Sequence, residues 1–286
     1  MTVAPAPAQP DGRLPRYAPD GTSPLTPADA PLRTALRAIA VIAHRDLLRQ
    51  VKRPGVLLSQ AVQILFFVLV YAVGFDGMIG TVGADGAGGP VEFSAYVFPG
   101  IIAIQVVSIG IASGQTYAWD REYGVLRELI VAPVPRICLP LGKVAAGAGM
   151  VTVQSVLMLA LSPLMGVHLT PLRFIAAVGC YGLAATVFSV IGLCLATVIT
   201  RVQTLQATVQ LAMFPMLFLS GSVFSPQDAP VWLGWIMHLN PMTYAVDLAR
   251  QTLLGSGGLL PLWADLAVLG GILLAVLALL RLRSGR

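Results

Sequence analysis

Apolar residues run through this chain in long blocks, and charged positions gather in the gaps between them. Six blocks are each long enough to cross a hydrocarbon core of about 30 Å, which takes about 20 helical residues. They cover approximately Val56–Phe75, Tyr96–Tyr117, Leu139–Val167, Phe174–Ile199, Thr204–Val223 and Pro261–Leu282, the third kinked near Ser162-Pro163. Four other stretches break the pattern. Residues 1–30 are rich in Pro, Ala, Asp and Gly, without apolar periodicity, and read as a disordered cytoplasmic tail. They lack the basic and apolar regions of a cleavable signal peptide. From Pro31 to Arg53, Leu32, Leu36, Ile39, Ala43 and Leu47 fall on one side of a helix, and Arg33, Arg37, Arg45, Arg49 and Lys52 fall largely on the other. That is the pattern of an amphipathic helix in the headgroup region; packing on another subunit is the alternative.

Gln115 to Lys143 is the longest charged interruption. Trp119, Tyr123, Leu126 and Ile130 recur at helical spacing, while Asp120, Glu122, Arg127 and Glu128 occupy other faces. Gly124 offers a hinge, and Pro133 and Pro135 an end. A short amphipathic helix between spans 2 and 3 follows, either a receiver for a partner or a solvated loop helix. In Ser225 to Leu260, Trp232 and Trp235 mark an interfacial helix. Asn240-Pro241 then re-aims the chain, and Tyr244, Leu248 and Thr252 continue at helical spacing with Asp247 and Arg250 nearby. Two short helices joined there form a re-entrant pair between spans 5 and 6, allowed where it packs on protein.

Composition agrees with a membrane protein. Charged residues make up 11% and the mean hydropathy is +0.80, where a soluble domain carries about 25% charge. The fold class is therefore all-α integral membrane, with six transmembrane helices. Of the 18 Lys and Arg, all but Arg173 and Arg250 fall on the cytoplasmic side if the N-terminus is inside. This bias orients the chain N-in and C-in. The net charge of +5 is not a nucleic-acid signal, because the basic residues flank apolar spans. Cys138, Cys180 and Cys194 and the three histidines lack metal-ligand spacing, so no metal site is expected.

Polar residues inside spans point to a pathway or to interhelical hydrogen bonds. Gln60, Gln63, Gln105, Gln206 and Gln210 are the candidate lining. Gly110 and Gly114 allow close helix approach. No span carries a charge near its centre, which argues against a proton- or sodium-coupled porter. Gly142-Lys143 is followed by Val144, so there is no P-loop. Energy for transport would arrive from another chain, and the Gln115–Pro135 helix is placed to receive it.

Three motifs resemble the permeases of ATP-binding-cassette exporters of the second type, including actinobacterial drug-resistance permeases. Glu122-Tyr123-Gly124-Val125-Leu126 running to Pro133-Val134-Pro135-Arg136 is similar to the family's coupling segment, with Val125 where the family often has Thr. Phe214-Pro215-Met216 through Val223-Phe224 is similar to its fifth-span ending. Asn240-Pro241-Met242-Thr243-Tyr244, with Asp247 and Arg250, is similar to its outer signature. The resemblance implies that residues 31–286 form the transmembrane domain. It implies a homodimer of such chains with separate ATPase subunits that carry ATP and Mg, in a bacterial cell membrane. Glu122, Gly124, Leu126, Arg127, Glu128, Leu129 and Pro133 would couple to the ATPase, and this chain would bind no cofactor. The expected cargo is a drug, antibiotic or other amphiphile, with a polysaccharide or glycolipid precursor as the rival. A lipid-acting membrane enzyme using His238, Asp247 and Arg250 is the reading from another class, and no nucleophile supports it.

Overall fold

A computed structural model describes residues 32–52, 54–70, 81–83, 90–124, 138–167, 169–222, 230–255 and 258–284. The expected tail, residues 1–30, lies outside them. Helix α1 covers Leu32–Val51 and α2 covers Pro54–Leu69. A short antiparallel hairpin follows, β1 (Thr81–Gly83) with β2 (Pro90–Glu92), which departs from the all-α expectation. Next come α3 (Phe93–Glu122), α4 (Cys138–Ala160), α5 (Pro171–Val198) and α6 (Val202–Phe218). The pair α7 (Val231–Leu239) and α8 (Pro241–Leu254) precedes the last helix, α9 (Leu262–Ser284).

Four helices, α3, α4, α5 and α9, are long and apolar enough to cross a membrane. The helices in the first and fifth expected spans have 16 and 17 residues. At 1.5 Å per residue they reach about 25 Å, the lower edge of a spanning length. The expected kink in the third span is instead its end: α4 stops at Ala160 and a 3-10 turn, Ser162–Met165, follows. Pro163 offers no N–H to continue the ladder.

Helix α3 is the axis of the bundle. Phe98, Ile102, Ala103 and Val107 are fully buried on it, and it packs on α4, α5, α6 and α8. Its tightest crossing is with α5. A Cβ on Gly114 would sit 2.1 Å from the carbonyl carbon of Gly192, and one on Gly192 would sit 2.5 Å from the carbonyl oxygen of Ile111. Only glycine lets the two backbones approach so closely. Helix α3 also runs further than the pattern indicates. Gln115 to Glu122 extends the second span, and the helix ends in a turn at Gly124 with φ 77°. The separate amphipathic helix therefore does not begin at Gln115, because the span's own ladder continues through that stretch.

Helix α1 packs along the first turns of α4. Its face there carries Ile39, Ile42 and Asp46, with Ile42 against Gly142, while Leu36 of the expected apolar side is 61% exposed.

Candidate functional site

Two junctions and one cavity bring the polar residues together. The first junction lies where α7, α8 and α9 meet the end of α6. Asn240 caps α8, its side-chain oxygen accepting from the Met242 N–H at 3.0 Å, while its amide donates to the Met216 carbonyl at 2.8 Å. Thr243 donates to the carbonyls of Met237 and Leu219. Tyr244 donates to the His238 carbonyl at 2.5 Å. Pro241 opens α8, where a missing N–H costs nothing. Arg250 is 2% exposed, donates to the Gly221 carbonyl at 2.8 Å and lies 4.2 Å over the Tyr96 ring. Asp247 accepts from the Leu259 and Leu260 N–H groups at 2.9 and 3.1 Å, and Gln251 bridges it to Asp265.

The motif from Asn240 to Arg250 is thus a suture, with Asn240, Thr243, Tyr244, Asp247 and Arg250 each bonded to a neighbouring backbone group, while Arg250 Nε is left without a partner among the described residues. Asp247 and Arg250, proposed above as acid/base groups of an enzyme, are both held in this way. Asp247→Ala should strip two part-buried N–H groups of their acceptor. We expect a loss of about 1–3 kcal/mol, read as a lower melting midpoint of the purified chain.

The second junction lies at the opposite end of the bundle, where α3 finishes and α4 begins. Lys143 is 4% exposed and stands between two carboxylates, Asp46 of α1 at 2.9 Å and Asp120 of α3. One turn position on, Arg121 donates to the carbonyls of Ala196, Ile199 and Thr200 at 2.9, 3.0 and 2.8 Å. These are the free carbonyls at the end of α5, where a cation also complements the helix dipole. The last turn of α3 is therefore tied to α1, α4 and α5 just before Gly124. Glu122 is exposed there and Gly124 is half-buried. Leu126, Arg127, Glu128, Leu129 and Pro133 lie outside the described residues.

Periodicity alone did not find this ion cluster, although one signal was present. Asp46 is the only acid in α1, and it sits one turn from Ala43 on the side that packs.

A cavity of about 400 Å³ rises from this junction into the bundle. Gln105, Ser108, Ser113 and Thr116 of α3 form one wall, Gln63 of α2 also lines it, and the paired Asp46 and Lys143 border it at the junction. Gln63 and Gln105 of the expected lining thus come together. Gln206 and Gln210 sit on α6, half-buried and exposed, away from this cavity. The side chain of Gln60 lies outside the described residues. Among the described residues, no cluster of His, Cys, Asp and Glu could hold a metal ion.

Comparison with known proteins adds the family. The chain is similar to the probable multidrug ABC transporter permease YbhR of Escherichia coli K12, at 24% identity over 181 residues, 62% of this chain and 48% of that protein. The chain thus spans about half the length of that relative. It is 26% identical to the daunorubicin resistance ABC transporter permease protein DrrB1 of Streptomyces coeruleorubidus over 234 residues, 79% of this chain and 80% of that one. It is 28% identical to the inner membrane transport permease YhhJ of Escherichia coli K12 over 195 residues, 65% of this chain and 52% of that one. The family model described as ABC-2 type transporter matches residues 37–254, which include α3 to α8, the cavity, the second junction and the α6 to α8 part of the first. This α-helical membrane chain belongs to the ABC-2 type transporter family.

Proposed function

We propose that this chain is the permease subunit of an ATP-driven exporter, powered by a separate ATPase that carries ATP and Mg. It crosses a bacterial cell membrane six times with both ends inside, and two identical copies form the working unit. Its cargo is a drug, antibiotic or other amphiphile. The observation that carries this reading is the tied end of α3. A push on the segment after Gly124 reaches α1 and α4 through Asp120, Lys143 and Asp46, and α5 through Arg121. The family match supports an ATPase as the source of that push. The names of YbhR and DrrB1 support a drug-like cargo. Apolar residues left exposed on α2 (Leu58, Val62, Phe66) and α6 (Leu211, Phe214) suit coverage by lipid and a second copy.

Purification of the tagged chain from its native membrane tests the reading. A P-loop ATPase should come with it. Glu122→Lys combined with Gly124→Pro should abolish transport-coupled ATP hydrolysis while membrane insertion stays intact. A chain that purifies alone under conditions that preserve other membrane complexes would sink the ATPase assignment.

A further inference from the structure

The cavity above Lys143 has a chemistry that narrows what it would bind. Gln105 is 7% exposed, faces the cavity and makes no hydrogen bond within the described residues. Its amide has no protein partner and opens onto the cavity, so its donor and its acceptor are both available to whatever enters. Three hydroxyls share its wall. Ser108 donates to the Ile104 carbonyl at 2.8 Å, Ser113 to Gly110 at 2.7 Å and Thr116 to Ser113 at 2.7 Å. Each hydroxyl proton is therefore spent on its own helix, and each oxygen keeps lone pairs for an incoming donor. The charges at the base are taken up: Asp46 and Lys143, the only ionic groups on the lining among the described residues, pair at 2.9 Å, and Asp120 on Lys143 and Arg45 on Asp46 complete a cluster of two cations and two anions. A charged ligand would find no free counter-charge there and would pay its desolvation unaided. Ala112, Ala146 and Gly147 keep part of the wall small, with Ile109 adding apolar surface and Gln50 a further amide. The volume of about 400 Å³ falls in the usual range for a small-molecule site.

We propose that this cavity, formed within one chain, binds the uncharged, hydroxyl-bearing head of an amphiphile, with Gln105 as its central contact. The ligand hydroxyls donate to Ser108, Ser113 and Thr116 and exchange hydrogen bonds with the amides of Gln105 and Gln63. Gln63 lies on the exposed side of α2, so the apolar tail of the ligand leaves toward lipid on that side. This site rests on the exporter reading for its purpose, as the place where cargo is taken up, though not for its chemistry.

The test is equilibrium binding of tritiated decyl β-glucoside to the full chain in lipid nanodiscs, with empty nanodiscs as the blank. Decyltrimethylammonium and decyl sulfate, of the same tail length, serve as competitors. Saturable binding of one glucoside per chain is expected, with both charged competitors weaker. Gln105→Met keeps the volume and removes the hydrogen bonds, and should weaken binding about tenfold. Ala112→Leu fills the cavity and should abolish binding. Melting midpoints of both variants identify any that fail to fold, and the remaining one then decides. Binding that is unchanged in a folded variant would overturn the site, as would a preference for either charged probe or one glucoside per two chains. Because no ATPase takes part, glucoside binding by a chain that never captures an ATPase would refute the exporter reading and leave the site standing. A captured ATPase without glucoside binding would do the reverse.

Discussion

Lys143→Met should be the most damaging single change at the junction of α1, α3 and α4, costing about 3–5 kcal/mol. The lysine is 4% exposed, and the side chains of Asp46 and Asp120 are 9% and 11% exposed. Removing the cation leaves two carboxylates with little water between them: Asp120 loses its counter-charge, and Asp46 keeps only the half-exposed Arg45. The neighbouring pair between Arg45 and Asp46 offers a comparison. Arg45 is 48% exposed, so that pair belongs to the surface class, worth about 0–1 kcal/mol. Arg45→Gln should therefore be almost silent. Replacing the whole cluster at once, as Asp46→Asn, Lys143→Met and Asp120→Asn, removes the uncompensated charges and should recover most of the loss. Melting midpoints of the four proteins in nanodiscs check the ranking. A Lys143→Met chain that melts with the parent would mean that the carboxylates reach water or other cations, and that no buried cluster holds α1 to the bundle.

Much of the helical layout was legible in the pattern of apolar runs, and the reasons are local. A run such as Phe174–Ile199 has one low-energy solution in lipid, a helix that satisfies its own backbone, and α5 covers Pro171–Val198 accordingly. The Asn-Pro break between α7 and α8 was legible for the same reason. Asn240 caps, and Pro241 cannot donate.

What could not be read were facts about pairs of distant residues. Nothing within α1 says that Asp46 meets Lys143 nearly a hundred positions later. The continuation of α3 to Glu122 depends on such a pair too. Asp120 and Arg121 look like the polar start of a loop, yet one is buried against Lys143 and the other binds the end of α5. The glutamines divide in the same way. Gln63 and Gln105 line one cavity although they sit on different helices, whereas periodicity treats them no differently from Gln206 and Gln210.

Gly114→Ala is expected to cost as much as the upper end of the usual range for overpacking, about 3 kcal/mol. The added Cβ would lie 2.1 Å from both the carbonyl carbon and oxygen of Gly192. Carbon contacts are comfortable at about 3.5–4.0 Å, and here the obstacle is backbone, which cannot rotate aside. The helices would have to part, and this crossing is the one on which α3 is seated. Two other glycines calibrate the effect. A Cβ on Gly110 would meet the Cβ of Phe188 at 2.9 Å, so Gly110→Ala should be intermediate. Gly179 has nothing within 4 Å, so Gly179→Ala should be neutral or gain a few tenths of a kcal/mol from helix propensity. The order of melting midpoints, Gly179→Ala above Gly110→Ala above Gly114→Ala, is the result to check. If Gly114→Ala melts with Gly179→Ala, α3 and α5 do not cross backbone to backbone. The tie from Arg121 to the end of α5 would then have to hold the two helices without that seat. If the order stands, α3 is gripped at its middle by α5 and at its end by Arg121 and Lys143, and motion imposed beyond Gly124 must carry the neighbouring helices with it.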